Sequence, residues 1–337
     1  MSTARRPLRA VVVGAGLMGR WHADAVVRAG GRIAAFVDVS AQRARAQARA
    51  YPGALALDGL ESALAAAPAD VVHVCTPTDT HERLVRQALQ AGCHVLVEKP
   101  LAPDPAVTEG LLRLADSRQL LLCPVHQFLF QPGVLRLQTA LQGLGPVRHI
   151  DTVACSAGAE ETDDDTRDRI AAEILPHPLS LFVRLLSPGI ARIPWHVARP
   201  IPGELCATAE FRGASLGILI STRGRPTANT LHLIAERGSA CVDLFHGFCV
   251  VERAGVSRTR KILHPFSSSA MSFFIALFNL TRRTLHWELA YPGLRELISR
   301  FYAAILDGAP APITPHEALA VATARHAFLS GRRGTAP

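Results

Sequence analysis

The first 120 residues alternate short apolar runs with stretches of helical pattern, and this alternation restricts the fold more than any other feature. Five runs predict strands, at residues 8–13, 32–37, 71–74, 94–97 and 120–123. Helical patterns separate them, at residues 17–28, 41–50, 80–91 and 105–117. Strands joined through helices of about ten or more residues form parallel βαβ units, so the order predicts an α/β, doubly wound parallel sheet.

The pattern changes after Pro124. Helical patterns at residues 133–141 and 173–186 flank a strand at 147–155, and the acidic stretch 160–165 indicates a solvated loop. Further strands follow at residues 204–211, 215–221, 230–235, 240–244 and 248–251, then helices at 291–306 and 315–329. Consecutive strands with short turns predict a mostly antiparallel sheet. We therefore expect two domains, residues 1–123 and an α+β domain with a large open sheet at 124–337.

A glycine-rich motif follows the first strand and opens the first helix. Its members are Gly14, Gly16, Leu17, Met18 and Gly19. In such a motif the glycines allow a tight turn, a close approach of backbone to pyrophosphate, and close helix–strand packing. The helix N-terminus adds N–H donors and a partial positive charge. The motif predicts a dinucleotide site.

Asp38 ends the second predicted strand, 19 residues after the last glycine. At about this spacing a carboxylate binds the ribose 2′-OH of a dinucleotide. A carboxylate there repels a 2′-phosphate, so we expect NAD rather than NADP. Arg43 lies nearby and leaves NADP as the alternative.

The loop after the strand at 71–74 is small and polar. Its candidate cofactor-binding residues are Cys75, Thr76, Pro77, Thr80 and His81. We expect the loop to run beside the nicotinamide or its ribose. Helix capping by Thr78 or Asp79 is the plainer interpretation, and both can hold.

Lys99 stands in Glu98-Lys99-Pro100 at the end of an apolar strand. Of the 36 basic residues, only Lys99 and Lys261 are lysines. A site that retains lysine in an arginine-rich chain calls for a compact charge that can share a proton. Open α/β sheets bind ligands at strand ends, so we expect Lys99 to be functional, with Glu98 beside the cofactor.

Composition narrows the class of protein. The net charge of +8 can attract anionic ligands such as dinucleotides or nucleotide sugars. The arginines are dispersed and only 6% of residues are aromatic, so no nucleic-acid surface is evident. Seven cysteines without CxxC spacing indicate a reduced, cytoplasmic protein, and no Cys or His spacing suggests a metal site.

We expect neither a secretory signal nor a membrane span. The apolar start of the first strand is too short for a signal core, and no apolar run reaches about 18 residues. Residues 271–280 come closest, and we interpret them as a core or subunit-interface helix. Contact with a membrane surface or an apolar ligand is the alternative.

Together these motifs resemble the Gfo/Idh/MocA oxidoreductases. The resemblance rests on Gly14-x-Gly16-x-x-Gly19-x-x-His22, Asp38, Cys75-Thr76-Pro77, Thr80-His81 and Glu98-Lys99-Pro100-Leu101. It implies a Rossmann domain followed by a domain whose open sheet often forms the subunit interface, hence a homo-oligomeric dimer or tetramer. It also implies hydride transfer between a nicotinamide and a sugar-like alcohol carbon, a lysine that orients the hydroxyl, and a cis Lys99-Pro100 bond.

The family's second motif places Glu173, His177 and Ser180 where the family usually has aspartate, histidine and aspartate. The resemblance makes His177 the candidate general acid/base, with an ordinary pKa suited to neutral pH. Ser180 cannot act as a carboxylate partner, and Glu173 is a bulkier candidate substrate contact. His126 and Gln127, just past the last Rossmann strand, are further candidate substrate contacts.

The sequence thus predicts an NAD(P)-dependent dehydrogenase or reductase acting on a carbinol or ketone carbon of a small molecule. Lys99 and His177 would handle the proton. Two alternatives stay open: reduction of an imine or enone on a biosynthetic intermediate, and a non-catalytic dinucleotide-bound sensor.

Overall fold

The computed structural model describes residues 6–156, 158, 162–254, 258–288 and 290–330, without the side chains of residues 258–261. Contacts divide the chain into two compact units. The first contains residues up to His126 together with Leu294–His326, and the second contains Gln127–Gly293 with the chain from Ala327 onward. The division into domains at residues 1–123 and 124–337 remains a prediction, since it concerns function as well as contacts.

The first unit contains a parallel sheet of six strands in the described residues. They are β1 (Arg9–Val13), β2 (Arg32–Val37), β3 (Leu55–Leu57), β4 (Val71–Val74), β5 (His94–Val97) and β6 (Leu122–Pro124). Their order is β3-β2-β1-β4-β5-β6, with the crossover between β3 and β4 that defines a dinucleotide-binding Rossmann sheet. This confirms the predicted doubly wound α/β fold. The strand β3 had no sequence prediction, because three residues are too few to show a period.

Helices connect these strands, as parallel pairing requires. They are α1 (Leu17–Arg28), α2 (Ala41–Ala48), α3 (Leu60–Ala66), α4 (His81–Gln90) and α5 (Pro105–Ser117). The Ser40 side chain caps α2, and that of Asp104 caps α5 just before a proline at the first helical position. The strands β1 and β4 are almost wholly buried between the helical layers.

The second unit contains a seven-stranded sheet in the described residues. Its strands are β7 (Val147–Cys155), β8 (His196–Ala198), β9 (Glu204–Phe211), β10 (Ala214–Ser221), β11 (Ala228–Ala235), β12 (Gly238–Asp243) and β13 (Phe248–Arg253). The order is β13-β12-β11-β7-β10-β9-β8, and every neighbouring pair is antiparallel except β7 with β10. The mostly antiparallel open sheet is as predicted.

In the described part of the chain, four α-helices accompany this sheet: α6 (Pro132–Leu144), α7 (Asp164–Ile174), α8 (Pro176–Leu185) and α9 (Arg258–Leu285). The single helix expected at residues 173–186 was wrong, because α7 ends at Ile174 and Pro176 begins a new helix after the single residue Leu175. Asp163 caps α7, and Asp164 and Asp165 occupy its first turn. That part of the expected acidic loop is therefore helical, while residues 160 and 161 lie outside the described residues.

The helix α9 is longer and more exposed than its sequence suggested. Its side chains at Phe266, Phe273, Phe274 and Phe278 are all more than 60% exposed, so α9 is not a core helix. By length and composition alone, Ile262–Leu285 could cross a membrane.

Two further helices belong to the first unit, α10 (Leu294–Asp307) and most of α11 (Pro315–Ser330). The inner face of α10 is buried at Leu297, Ile298, Phe301 and Tyr302, and α10 packs against α1. Arg295 on α10 also forms an ion pair with Asp24 on α1, 3.0 Å away. The helix α10 therefore packs in the first unit, although a long stretch of chain separates it from β6.

Candidate active site

The glycine motif forms an open cradle at the end of β1. Gly14 has φ +97°, and a Cβ there would lie 2.5 Å from the carbonyl oxygen of Cys75. A Cβ on Gly19 would collide with the carbonyl oxygen of Gly14. At Gly16, by contrast, nothing lies within 4 Å of the Cβ position, and α1 starts at the next residue without a side-chain cap. The first N–H groups of α1, beginning at Leu17 and Met18, are thus offered to a ligand, and the cradle fits a pyrophosphate.

Asp38 closes the cradle at the end of β2. Its Oδ2 accepts from the Ala15 N–H at 2.9 Å, and its Oδ1 accepts from the Ser40 N–H at 2.8 Å. Oδ1 also accepts from Arg43 Nη2 at 2.8 Å and Nε at 3.1 Å. Burial alone would raise the pKa of Asp38, but these hydrogen bonds outweigh it and hold the pKa below its ordinary value. Asp38 is therefore an ionised acceptor that Arg43 partly neutralises.

The loop after β4 lies beside the same cradle. Cys75 N–H donates to Val13 O at 2.7 Å, and the Thr80 hydroxyl lies 2.7 Å from the Thr76 hydroxyl. Burial, together with Glu98, raises the pKa of the Cys75 thiol well above its ordinary value, so it stays protonated. The helix α4 begins at His81 and has no side-chain cap, so the capping interpretation of Thr78 and Asp79 was wrong.

His81 ties this loop to the Glu98-Lys99-Pro100 segment. Its Nε2 lies 2.8 Å from the Thr76 carbonyl oxygen, and its Nδ1 lies 2.9 Å from the Pro100 carbonyl oxygen. The ring is almost fully buried. His81 thus fixes the spacing between the loop after β4 and the segment after β5. The Pro77 carbonyl oxygen lies 2.7 Å from the Thr80 hydroxyl and completes this loop.

A buried chain of side chains leads to Glu98. Tyr302 OH lies 2.9 Å from His73 Nε2, His73 Nδ1 lies 2.9 Å from His22 Nδ1, and His22 Nε2 lies 3.1 Å from Glu98 Oε1. Burial, with His22 adjacent, holds the pKa of His73 well below its ordinary value, so its ring is neutral. Burial also raises the pKa of Tyr302 well above its ordinary value.

Glu98 itself is ionised. Burial alone would raise the pKa of Glu98, but the hydrogen bond from His22 and the charge of Lys99 outweigh it and lower the pKa. The Lys99 N–H donates to Glu98 Oε2 at 3.3 Å, and the Lys99 side chain is half-buried. The Lys99-Pro100 peptide is cis, as the resemblance implied. A fixed carboxylate therefore immediately precedes the lysine.

The second unit contains its own cavity of about 610 Å³. Its wall includes Gln127, Phe128, His177, Asn229, Arg283 and Tyr291. The His177 ring stacks on Phe128, with centroids 4.2 Å apart and planes 16° from parallel. The Gln127 side chain is 6% exposed, and its Oε1 has no hydrogen-bond partner among the described residues. An acceptor of this kind in a cavity wall suits a hydroxyl-bearing ligand.

The other residues of the second motif lie apart from this cavity. The Ser180 hydroxyl donates to the His177 carbonyl oxygen at 2.8 Å, one helical turn back, so it is used within α8. Glu173 is exposed near the end of α7 and does not line the cavity, so its contact with substrate remains a prediction. His126 is buried and groups with the first unit. Its role also remains a prediction.

The structure therefore assembles the cofactor candidates in one unit and His177 with Gln127 in the other. The chain Tyr302–His73–His22 had no sequence prediction beyond the motif position of His22, because the partners are far apart in sequence. Asn229, Arg283 and Tyr291 were also missed, since no local pattern marks a cavity wall. Among the described residues, no group of three His, Cys, Asp or Glu side chains could hold a metal ion.

Comparison with known proteins agrees with the Rossmann fold of the first unit. Residues 8–126 match the family model described as "Oxidoreductase family, NAD-binding Rossmann fold". Residues 8–126 belong to the Gfo/Idh/MocA oxidoreductase family. The match confirms the recognition and the expectation of a nicotinamide dinucleotide cofactor.

Relatives at the sequence level share mainly this region. An inositol 2-dehydrogenase of Corynebacterium glutamicum is 41% identical over 127 residues, 37% of each chain. A UDP-N-acetylglucosamine 3-dehydrogenase of Acidithiobacillus ferrooxidans is 34% identical over 149 residues, 43% of this chain and 44% of that protein. The matches thus span about two-fifths of the curated relatives' length.

Solved structures share the fold over nearly the whole chain. The UDP-N-acetylglucosamine 3-dehydrogenase GnnA of A. ferrooxidans has a TM-score of 0.75 at 21% identity, covering 98% of this chain and 99% of that one. The WlbA dehydrogenase of Bordetella pertussis, in complex with NADH and UDP-GlcNAcA, has a TM-score of 0.74 at 17% identity, covering 96% and 95%.

Proposed function

We propose that this protein is an NAD(P)-dependent dehydrogenase or ketoreductase that interconverts a carbinol and a ketone on a sugar-like small molecule. The observation that carries the proposal is the pairing of an open glycine cradle with an ionised Glu98 immediately before Lys99. The named relatives, which are dehydrogenases of inositol and of a nucleotide sugar, support an alcohol or ketone as the reacting group. They do not favour the imine, enone or sensor alternatives.

The cofactor would be held by residues whose geometry suits it. The Gly14–Gly19 cradle and the first N–H groups of α1 would bind the pyrophosphate, and Asp38 would accept from the adenine ribose. When bound, the nicotinamide supplies the site that accepts or gives the hydride. We favour NAD over NADP because Asp38 is ionised, whereas its ion pair with Arg43 reduces the penalty against a 2′-phosphate.

Lys99 would bind the reacting oxygen of the substrate. Its ammonium can donate to a hydroxyl and stabilise the negative charge that develops on oxygen as the proton leaves. Glu98 supports this role because its charge is fixed by His22 and its Oε2 accepts from the Lys99 backbone. Arginine retains charge but spreads it over a planar group and does not readily give up a proton.

His177 would exchange the hydroxyl proton. It lines the cavity of the second unit, and the stacked Phe128 ring holds its plane in one orientation. With Ser180 engaged in its own helix, no carboxylate from that position aligns the imidazole. We therefore assign orientation of His177 to Phe128, and hydroxyl recognition to Gln127.

The assembly would be a homo-oligomer, a dimer or tetramer, that uses the open sheet of the second unit. Leu219 on β10 and Ile234 on β11 are exposed apolar side chains on the two strands that flank β7 in this sheet. Such positions support a sheet-mediated contact. We place the protein in the cytoplasm, in keeping with its cysteines, which form no disulfide in the described residues.

The experiment is a screen of purified protein with NAD or NADP against inositols, nucleotide sugars and simple polyols, followed at the absorbance of the reduced nicotinamide. We expect turnover with a polyol or nucleotide sugar and a lower Kd for NADH than for NADPH. Retained dinucleotide without turnover of any alcohol or corresponding ketone would contradict the proposal and favour a sensor. Lys99→Met serves as the matched inactive control.

A further inference from the structure

The helix α9 exposes its apolar face, whereas a helix on the surface of a soluble protein usually buries that face and exposes its polar one. Ile262, Phe266, Phe273, Leu277 and Leu280 follow one another at spacings of three, four or seven residues and so share one face. All five are exposed, with Phe266 76% and Ile262 73% accessible. Leu263, Phe274, Phe278 and Leu285 widen this apolar face, and they too are exposed. The apolar face of α9 points away from the second unit, where an ordinary surface helix is polar.

The opposite face of α9 is polar and attached to the sheet. Ser268 Oγ donates to Glu252 Oε1 at 2.6 Å, and Asn279 Nδ2 donates to the His246 carbonyl oxygen at 3.0 Å. Arg283 Nη1 donates to the same carbonyl at 2.9 Å, and Arg283 Nε donates to the Glu288 carbonyl at 3.0 Å. These bonds fix which face is outward. The outward orientation of the apolar face of α9, called the apolar band below, is therefore held by hydrogen bonds within the second unit.

The apolar band is large. The four exposed phenylalanines, at 150–250 Å² each and about two-thirds accessible, contribute roughly 500 Å² before any aliphatic side chain is counted. The largest apolar patch of a typical monomer is about 300–600 Å² in all. Over residues 262–285 the band is about 36 Å long, at 1.5 Å per residue. A surface of this size marks an interaction site.

The charge of α9 indicates what the band contacts. Residues 258–285 include five basic residues and no acidic one: Arg258, Arg260 and Lys261 at the start, Arg282 and Arg283 at the end. Two copies packed through this helix would bring basic ends together in either the parallel or the antiparallel arrangement. An anionic lipid surface would neutralise the basic start of the helix and the exposed Arg282 at its end, while its acyl region accepts the phenylalanines. Arg283 stays on the sheet-facing side.

We propose that α9 lays its apolar face on an anionic lipid surface and lies in the plane of the headgroups without crossing the bilayer. Crossing would remove Ser268, Asn279 and Arg283 from their partners and place these polar groups in hydrocarbon. Lying on the surface preserves every one of these bonds. The proposal is independent of the enzymatic activity, because it needs neither cofactor nor substrate.

The test is flotation of the purified full chain with vesicles of phosphatidylcholine, with or without phosphatidylglycerol. We expect about tenfold more protein to float with the anionic vesicles, and high salt to reduce this fraction. Phe273→Asp/Phe278→Asp should abolish flotation. Ile201→Asp, at an apolar side chain of the same unit that is 49% exposed and lies outside α9, should float like the unchanged protein.

A second readout uses Trp287, which follows α9 and is 69% exposed. The indole nitrogens of Trp21 and Trp195 are buried, so a blue shift of tryptophan emission on adding anionic vesicles reports on Trp287. Trp287→Phe should remove the shift while flotation persists. Thermal midpoint and solution mass, measured on every variant, establish that each remains folded.

Three results would overturn the proposal. The first is that the unchanged protein does not float with anionic vesicles. The second is that Phe273→Asp/Phe278→Asp floats as well as the unchanged protein. The third is that this variant forms a smaller oligomer in solution than the unchanged protein, which itself does not bind lipid. The last result would assign the band to a second copy of the protein.

Discussion

His22 Nε2 lies 3.1 Å from Glu98 Oε1, so the histidine three residues after the glycine motif holds the carboxylate that precedes Lys99. The pair joins α1, which begins at the glycine cradle, to the residue that follows β5. Behind His22, the contacts to His73 and Tyr302 extend the chain into α10. The cradle and the lysine are thus connected through buried polar groups.

Replacing His22 by phenylalanine should destabilise the first unit. Glu98 would lose its side-chain donor while remaining buried, at a cost of about 1–3 kcal/mol in the free energy of unfolding. The folded-state pKa of Glu98 lies below its ordinary 4.5, so the stability it contributes is present above that pH and is lost as pH falls. Denaturant unfolding at several pH values should show a gap between His22→Phe and the unchanged protein that narrows in acid. Tyr302→Phe, which leaves the His22–Glu98 contact intact, should show no such narrowing.

Asp70 should govern the acid stability of the first unit. Burial alone would raise its pKa, but hydrogen bonds from Arg9 and Arg6 lower it from 3.8 to about 2. Stability from this group is therefore complete above pH ~4 and is lost as pH falls towards 2, by about 2 kcal/mol. Asp70→Asn should remove that part of the acid dependence in denaturant unfolding. Glu109→Gln, in the exposed pair with Arg113, should change stability by less than about 0.5 kcal/mol at any pH. If Asp70→Asn lost stability at low pH just as the unchanged protein does, the ion pair would contribute nothing to the free energy of unfolding.

The Asp38–Arg43 pair should set the cofactor preference. In Asp38→Asn the ionised acceptor is lost, so the Kd for NADH should rise about tenfold or more while that for NADPH should rise less. In Arg43→Ala the carboxylate loses its neutralising partner, and discrimination against NADPH should increase. Fluorescence titrations of each protein with NADH and with NADPH would measure the Kd values that test both predictions. If the unchanged protein and both variants bound NADH and NADPH equally well, the 2′ position of the adenine ribose would not lie beside Asp38 and Arg43.

Gln127 should affect the substrate rather than the cofactor. Gln127→Leu removes a buried amide oxygen from the cavity wall without changing the side-chain volume greatly. We expect KM for the substrate to rise about tenfold, with NADH affinity unchanged. Gln142→Leu, at an exposed position of α6, is the matched control. If both Kd for NADH and KM moved together in Gln127→Leu, general unfolding would be the better explanation.

Much of the fold followed from local pattern. The short apolar strands of the first unit, the helices between them and the positions of Asp38 and Lys99 at strand ends all depend on short-range pattern and spacing. Pro176 showed the limit: the run 173–186 is uniformly compatible with a helix, but a proline at its fourth position starts a second one. The strand β3, only three residues long, carries no readable period.

The candidate site was predictable only where a motif marks it. His22 was part of the resemblance, but its contact with His73 was not predicted. Tyr302, the next partner of His73, lies 229 residues further along the chain and could be found only from the fold. Gln127 and Asn229 meet in one cavity wall for the same reason. For α9 the sequence showed an apolar helix, but only the burial of Asn279 and Arg283 revealed which face is outward.

The most direct test of the central claim compares Lys99→Arg and Lys99→Met with the unchanged protein, measuring NADH binding and turnover on the same samples. We predict that both variants bind NADH within about threefold of the unchanged Kd and that both lose at least about a hundredfold in kcat. Arginine should fail because it keeps the charge but spreads it over a planar group and does not readily give up a proton. Normal turnover in both variants would contradict the account.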